Sequence, residues 1–203
     1  FYWNRYVFAI PAGEKTAVKG EYKPGPGKKL TDAINESVGR TKIIAEDLGI
    51  ITPEVEALRD EFGFPGMKVL QFAFDSLDEG SYLPHRYTSP VCVCYTGTHD
   101  NDTTRSWYQT LRPECRDKVR RYTHCSNDTH FPLDLIGTAL ACVAAYAIFP
   151  LQDVLCVGAE GRMNTPGIGA GNWSWRYQQS ALKGELADEL RGMTFYMEDI
   201  SWR

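Results

Sequence analysis

Apolar and polar residues follow two different periods along this chain, and the changes of period predict where strands give way to helices. Short apolar runs with β-branched residues predict strands at 6–10, 42–45, 67–74, 91–96 and 146–149. Helical periodicity or composition predicts helices at 30–38, 53–62, 116–122, 135–147 and 181–191. Glycine and proline predict long loops at 11–27 and 158–171. Strands that alternate with helices are typical of parallel strands joined by helical crossovers.

The segment 41–54 predicts a strand, two carboxylates and the start of a helix in direct succession. Thr52 suits the N-cap of that helix, Pro53 its first position and Glu54 its positive end. We therefore expect Glu46 where a strand ends and the following loop begins. In barrel enzymes this edge presents the catalytic groups.

The few predicted strands and the length of the chain limit the size of the fold. A complete (β/α)8 barrel of the TIM type usually needs about 250 residues, whereas this chain has 203. We expect an α/β fold equivalent to half of such a barrel, as one partial domain over residues 1–203. The start at Phe1, without an initiator methionine, predicts that a longer protein continues upstream.

Composition and charge indicate which broad class of protein the chain belongs to. The chain is 43% hydrophobic and 12% aromatic, which indicates a globular protein. A formal charge of −4 gives no electrostatic reason to expect a nucleic-acid partner. The longest apolar candidate, 139–150, is too short to span a membrane, and no signal peptide opens the chain. We predict neither nucleic acid nor membrane as a partner, and a cytoplasmic protein, or a plastid one if the source is a plant or alga.

The spacing of the cysteines does not predict a metal site. None of the six forms a C-x-x-C pair, and Cys92 and Cys94 alternate so that their side chains share one face. Together with His124 and Cys125 they fit no common zinc spacing. Reduced, mostly buried thiols of an intracellular protein are the expectation.

Two acidic residues occupy comparable places, because Glu46 and Asp100 each follow a predicted strand. Parallel strands in a barrel would bring both to one face. Paired carboxylates on one face suit glycoside chemistry, with one as acid and base and the other stabilising or attacking the oxocarbenium-like centre. His99 is a candidate to hydrogen-bond a sugar hydroxyl. The alternative is that both acids cap helices.

A second candidate site lies at 164–176. Asn164, the pair Trp173 and Trp175, and Arg176 offer flat apolar faces for sugar rings and hydrogen bonds for their hydroxyls. The alternative is a glycine-rich surface loop anchored by buried tryptophans. The glycine spacing over 167–171 does not match the dinucleotide fingerprint, which argues against nucleotide binding.

Several long motifs carry a family resemblance along nearly the whole chain. They are Ile-Pro-Ala-Gly-Glu-Lys-Thr-Ala (10–17), Ile-Ile-Ala-Glu-Asp-Leu-Gly-x-Ile-Thr-Pro-Glu-Val (43–55), Gly-Phe-Pro-Gly-Met-Lys-Val-Leu-Gln-Phe-Ala-Phe (63–74), Tyr-Thr-Gly-Thr-His-Asp-Asn-Asp-Thr (95–103), Pro-Leu-Gln-Asp-Val-Leu (150–155) and Arg-Met-Asn-Thr-Pro-Gly (162–167). The chain resembles the 4-α-glucanotransferases, also called amylomaltases or disproportionating enzymes.

The resemblance implies a barrel of the α-amylase clan and retaining transfer of α-1,4-glucan segments between maltooligosaccharides. On that pattern Glu46 matches the general acid/base and Asp100 the transition-state-stabilising aspartate. His99 matches a sugar-binding neighbour, and Asp75 and Asn164 resemble positions that contact substrate. The resemblance implies no metal and no organic cofactor.

The sequence departs from the family pattern at the nucleophile. The family's nucleophilic Asp lies in an Arg-x-Asp-His stretch, which does not occur in these 203 residues. We therefore expect the isolated chain to be inactive. A hydrolase of the same clan and a non-catalytic glucan-binding protein remain the alternatives.

Overall fold

The computed structural model describes residues 6–39, 43–49, 51–75, 80–125 and 127–200. The chain forms two compact units, Phe1–Met67 and Lys68–Arg203.

The first unit begins with an antiparallel hairpin of β1 (Tyr6–Ala9) and β2 (Glu21–Pro24). The ring of Phe8 packs at 4.8 Å from that of Tyr22 and lies against Gly20, where a Cβ would displace it. The predicted first strand is confirmed. The prediction of a continuous loop over 11–27 is wrong at β2, whose exposed side chains leave no apolar alternation to detect.

Two helices follow, α1 (Lys28–Val38) and α2 (Pro53–Glu61), both close to their predicted bounds. Thr52 is the N-cap of α2, as predicted, and its carbonyl accepts the N–H groups of Val55 and Glu56 at 2.9 and 3.1 Å. Its hydroxyl makes no capping bond. Backbone geometry and Pro53 at the start therefore define this helix end.

The strand predicted at 42–45 is wrong over its described residues, Ile43 to Ala45. A strand needs a ladder of repeated backbone pairs. In this segment the ladder is reduced to a bond of 2.9 Å from the Ala45 N–H to the Pro65 carbonyl. The remainder of the prediction, at Lys42, lies outside the described residues.

A three-stranded sheet has the order β3-β4-β5, formed by Gly66–Val69, Cys92–Tyr95 and Tyr146–Ile148. β4 and β5 are parallel, with Cys94 opposite Ala147, which confirms the predicted parallel pairing. The strand predicted at 67–74 is too long, because Leu70–Ala73 turns into a 3₁₀ helix. This turn buries the side chains of Leu70, Gln71 and Ala73.

Among its described residues, the second unit has five α-helices: α3 (Thr104–Thr110), α4 (Pro113–Thr123), α5 (Phe131–Leu140), α6 (Leu151–Val154) and α7 (Gly184–Ile200). α5 is central, since it packs against the other four helices and β5. Its residues Phe131 and Leu135 are fully buried, and the Tyr108 ring stacks on Phe131 at 3.9 Å. The helix predicted at 135–147 corresponds to α5, which begins and ends earlier in the chain than predicted. Helix α3 was not predicted.

None of the helices in the described part of the chain is both long and apolar enough to cross a membrane.

Candidate active site

The candidate site of the second unit is built on the turn that follows β4. The Asn101 side chain holds this turn, because its Oδ1 accepts the N–H of Thr98 at 2.9 Å and the Thr98 hydroxyl at 2.8 Å. Gly97 leaves room for the Gln71 amide, which a Cβ would meet at 2.7 Å. The turn therefore presents His99 and Asp100 in a fixed place beyond the strand.

The Asp100 carboxylate lies at the centre of a polar network. The Asn164 amide Nδ2 donates to Asp100 Oδ1 at 2.5 Å, a short charge-assisted bond, and His99 Nε2 lies 3.3 Å from the same oxygen. Among the described residues, Oδ2 receives no hydrogen bond. About half of each side chain of the His99–Asp100 pair is exposed. The structure thus brings together three of the predicted site residues and leaves one oxygen of the carboxylate for a ligand.

Arg162 ties the two loops of this network together. Its guanidinium donates through Nη2 to the backbone carbonyl of Asp100 and through Nε to that of Asn164, both at 3.0 Å. The Asn164 N–H also donates to the His99 carbonyl at 3.1 Å. Arg162 was not predicted as a site residue, although it begins one of the family-like motifs.

An aromatic surface adjoins the carboxylate. The Trp173 ring lies 5.0 Å from the His99 ring and is 54% exposed. A bond of 2.7 Å from the Trp173 N–H to the Met163 carbonyl holds the ring there, with a left-handed backbone (φ 59°) at Trp173. The idea of a loop anchored by a buried tryptophan does not hold at this residue, because the ring is available to a ligand.

Asp153 anchors the turn that carries Asp100, and it is almost completely buried. It accepts the hydroxyls of Thr96 and Thr104 at 2.6 and 2.7 Å and the Thr104 N–H at 3.0 Å. Burial raises the pKa of this carboxyl above its ordinary value of 3.8, against the opposing effect of the three hydrogen bonds. Asp153 joins the end of β4 to the start of α3, so both ends of the Asp100 turn are anchored. Sequence reasoning missed this role.

Asp75 does not belong to the hydrogen-bonded network around Asp100 in the described part of the chain. Its Oδ1 accepts the indole N–H of Trp107 at 3.0 Å, while its side chain is largely exposed. This contact fixes Asp75 at the end of the 3₁₀ turn after β3. A role in substrate contact remains a prediction.

Glu46 belongs to the first unit, where the adjacent Asp47 fixes the backbone. Asp47 is buried, and its carboxylate accepts Arg59 Nη1 at 2.5 Å and the Met67 N–H at 2.7 Å. A Cβ at Gly66 would overlap the Asp47 carboxylate, so this close packing requires glycine. The Glu46 side chain itself is exposed. Its pairing with Asp100 remains a prediction.

The cysteines are free thiols, and the described residues contain no group of three or more His, Cys, Asp or Glu side chains that could hold a metal ion.

Comparisons with known proteins identify the family. A family model described as 4-alpha-glucanotransferase matches residues 5–182. The chain belongs to the 4-alpha-glucanotransferase family.

Curated relatives of that name are similar over most of this chain. The chain is 50% identical over 194 residues to a 4-alpha-glucanotransferase of Synechocystis sp., covering 95% of this chain and 37% of the relative. It is 47% identical over 198 residues to that of Thermus thermophilus, covering 95% and 39%. A chloroplastic/amyloplastic enzyme of Solanum tuberosum is 49% identical over 184 residues, covering 91% and 32%. The chain thus spans less than two fifths of the length of these relatives.

Two solved structures have a fold similar to that of this chain. The amylomaltase of Streptococcus agalactiae, solved in complex with acarbose, superposes with a TM-score of 0.90 at 30% identity, covering 98% of this chain and 40% of that chain. The amylomaltase of Corynebacterium glutamicum superposes with a TM-score of 0.65 at 15% identity, covering 98% and 34%, and supports the fold alone.

Proposed function

We propose that the whole protein containing this chain transfers α-1,4-glucan segments between maltooligosaccharides by a retaining mechanism. The observation that carries the proposal is the network of His99, Asp100 and Asn164 beyond the end of β4, in a chain that belongs to the 4-alpha-glucanotransferase family. Carboxylate, imidazole and amide groups beside an exposed tryptophan ring are suited to sugar hydroxyls and to the positive charge of a glycosyl transition state.

Asp100 is the electrostatic group of this proposal. The Asn164 amide fixes one carboxylate oxygen, which restrains the side chain before substrate arrives. The other oxygen can then receive a sugar hydroxyl and oppose positive charge as it develops at the anomeric carbon. A restrained carboxylate is effective because it needs no reorganisation during the reaction.

Glu46 is the proposed general acid and base. It would donate a proton to the leaving glycosidic oxygen and later take a proton from the incoming sugar hydroxyl, as retaining mechanisms require. The support is its place in a family-like motif and the anchoring of its neighbour Asp47 by Arg59 and Met67. His99, Asn164 and Asp75 are the proposed substrate contacts, and the mechanism requires no cofactor or metal.

We also propose that the chain forms the C-terminal part of a (β/α)8 barrel. The parallel pairing of β4 and β5, with three helices between them, supports this architecture. The Streptococcus agalactiae structure supports a partial domain, because 98% of this chain matches 40% of that chain. We keep the prediction of a cytoplasmic protein, or a plastid one if the source is a plant or alga.

Incubation of the whole protein with maltotriose tests the proposed function. Transfer gives longer oligosaccharides together with glucose and maltose, whereas hydrolysis by a related enzyme gives glucose and maltose alone. A protein that binds maltotriose and leaves it unchanged would be a glucan-binding module, and this outcome would reject the enzymatic proposal.

A further inference from the structure

The short helix α6 carries two consecutive buried polar side chains, Gln152 and Asp153. Asp153 accepts hydrogen bonds from Thr96 and Thr104, and these bonds hold the end of β4 and the start of α3. Gln152 is hydrogen-bonded instead to the loop that follows α6. Neighbouring positions of one helix therefore hold the two loops that meet at Asp100.

Gln152 holds its loop at two points. Its side-chain Nε2 donates to the Gly161 carbonyl at 3.0 Å, and its backbone carbonyl accepts the Val157 N–H at 2.9 Å. Gly161 is buried, and a buried backbone carbonyl needs a hydrogen-bond partner. The Gln152 amide supplies that partner and so fixes the backbone at Gly161.

Arg162 connects this fixed point to the candidate site. It follows Gly161 directly, and its guanidinium donates to the backbone carbonyls of Asp100 and Asn164, both at 3.0 Å. The Asn164 amide in turn lies 2.5 Å from the Asp100 carboxylate. A shift of the backbone at Gly161 would therefore move both groups that bond to Asp100 from this loop.

We propose that Gln152 is a positioning residue for the transfer reaction, and that it acts through Arg162 and Asn164. The kinetic part of this proposal rests on the proposed function, because a displaced Asn164 amide no longer restrains the Asp100 carboxylate for the transition state. A misplacement of about 1 Å in an active site can cost about 10²-fold in rate. We expect loss of the Gln152 amide bond to lower kcat by about 10- to 10²-fold, with a smaller change in KM.

Two variants of the whole protein remove this bond in different ways. Gln152→Met keeps the length of the side chain but has no donor, whereas Gln152→Asn keeps an amide on a chain that is one methylene shorter. Urea unfolding establishes which variants are folded, and kinetics with maltotriose give kcat and KM for each. A folded variant with kcat within about twofold of the parent would overturn the proposal, given the expected loss. Failure of both variants to fold would assign Gln152 to stability instead.

Thr138→Val is the matched control for the loss of a side-chain bond to a backbone carbonyl. The Thr138 hydroxyl donates to the Asp134 carbonyl at 2.9 Å, but it does so within α5. The control should keep the kcat of the parent. Equal losses of kcat in Thr138→Val and Gln152→Met would overturn the proposal, because they would reflect a general loss of stability.

A double variant tests whether Gln152 acts through Asn164. If it does, Gln152→Met combined with Asn164→Ala should lose about as much kcat as the more damaging single variant, because both changes remove the same restraint. Losses in kcat that multiply would show that the two side chains act independently, and this would overturn the proposed route.

Hydrogen exchange tests the position of the loop without any reaction. In Gln152→Met the peptide that contains Asn164 should exchange faster than in the parent, because its N–H is bonded to the His99 carbonyl at 3.1 Å across the two loops. The peptide that contains Thr104 should exchange as in the parent, because Asp153 still accepts the Thr104 N–H.

Two results of the exchange measurement would overturn the proposal. Faster exchange in both peptides would mean that Gln152 supports α6 as a whole, and unchanged exchange at Asn164 would mean that Gln152 does not hold the loop. A parent protein that does not transfer glucan from maltotriose would reject the proposed function, whereas the exchange result would still decide whether Gln152 positions Asn164.

Discussion

The Asn164 amide nitrogen lies 2.5 Å from the Asp100 carboxylate, although the two residues are 64 positions apart in the sequence. The bond joins the turn after β4 to the loop that continues to Trp173. The Arg162 guanidinium reinforces the same junction through the carbonyls of both residues. Two loops that are distant in sequence therefore act as one surface, and the proposed chemistry depends on that surface.

Replacement of Glu46 by Gln should abolish most transfer in the whole protein while leaving glucan binding nearly unchanged. The amide can neither protonate the leaving oxygen nor deprotonate the acceptor, and general acid–base catalysis is typically worth about 10²–10⁴-fold. Initial rates with maltotriose and a separate binding measurement check this. Activity within about threefold of the parent would remove Glu46 from the role, given that expected loss.

Replacement of Asp47 by Asn should destabilise the first unit. The substitution removes the charge that faces Arg59, whose side chain is 17% exposed, while that of Asp47 is 7% exposed. Breaking a buried ion pair on one side costs about 3–5 kcal/mol, and the remaining exposure favours the lower end, about 3 kcal/mol. Urea unfolding of the whole protein measures the loss.

Asp60→Asn is the matched control for that variant. Asp60 also contacts Arg59, at 2.7 Å, but 65% of its side chain is exposed. Exposed ion pairs contribute about 0–1 kcal/mol. Equal losses in the two variants would show that burial of Asp47 does not determine the stability of this segment.

Parts of this fold can be predicted from the sequence. The strand β4 and helices α1 and α2 follow their local patterns closely. Asp100 and its neighbour His99 were candidates because they follow a predicted strand, and Asn164 belonged to a second candidate stretch. The contact between Asn164 and Asp100 was not predicted.

Other parts depend on contacts that no local pattern contains. The position of the Asp153 side chain depends on hydrogen bonds from Thr96 and Thr104, which lie 57 and 49 positions away in the sequence. α3 consists largely of residues with modest helix propensity, such as Thr, Ser, Trp and Tyr, and packing of its Trp107 and Tyr108 decides its structure. The segment before Glu46 has strand-like residues but lacks a ladder among the described residues.

Asp153→Asn should change how stability depends on pH. A carboxyl whose folded pKa is raised binds more protons in the folded state, so its contribution is fully present below the unfolded pKa and is lost as pH rises through the folded pKa. The parent should therefore lose stability relative to Asp153→Asn as the pH rises upward from about 4. Urea unfolding of both proteins over a pH series measures the difference. A parent that gains stability relative to the variant over this range would mean that the hydrogen bonds from Thr96 and Thr104 outweigh burial.

Trp173→Ala should weaken substrate binding more than it slows the chemical step. The exposed ring beside His99 offers an apolar face to a sugar, and such aromatic contacts contribute about 0.5–1.5 kcal/mol, which corresponds to a roughly two- to tenfold rise in KM. Trp173→Phe keeps a ring and should retain most of the affinity. Kinetics with maltotriose separate KM from kcat. Equal KM values for parent and Trp173→Ala would assign the ring to the structure of the loop instead.

The kinetics of Asp100→Asn in the whole protein test the central claim most directly, since the carboxylate is proposed to act on the transition state. The variant retains the shape of the side chain but loses its charge. We expect kcat for maltotriose transfer to fall by about 10²–10³-fold with a small change in KM. Asp117→Asn, at an exposed position of α4 with a 2.9 Å contact to Arg121, is the control and should match the parent. A raised KM with unchanged kcat would mean that Asp100 binds substrate and transition state equally, and this would contradict the proposed role.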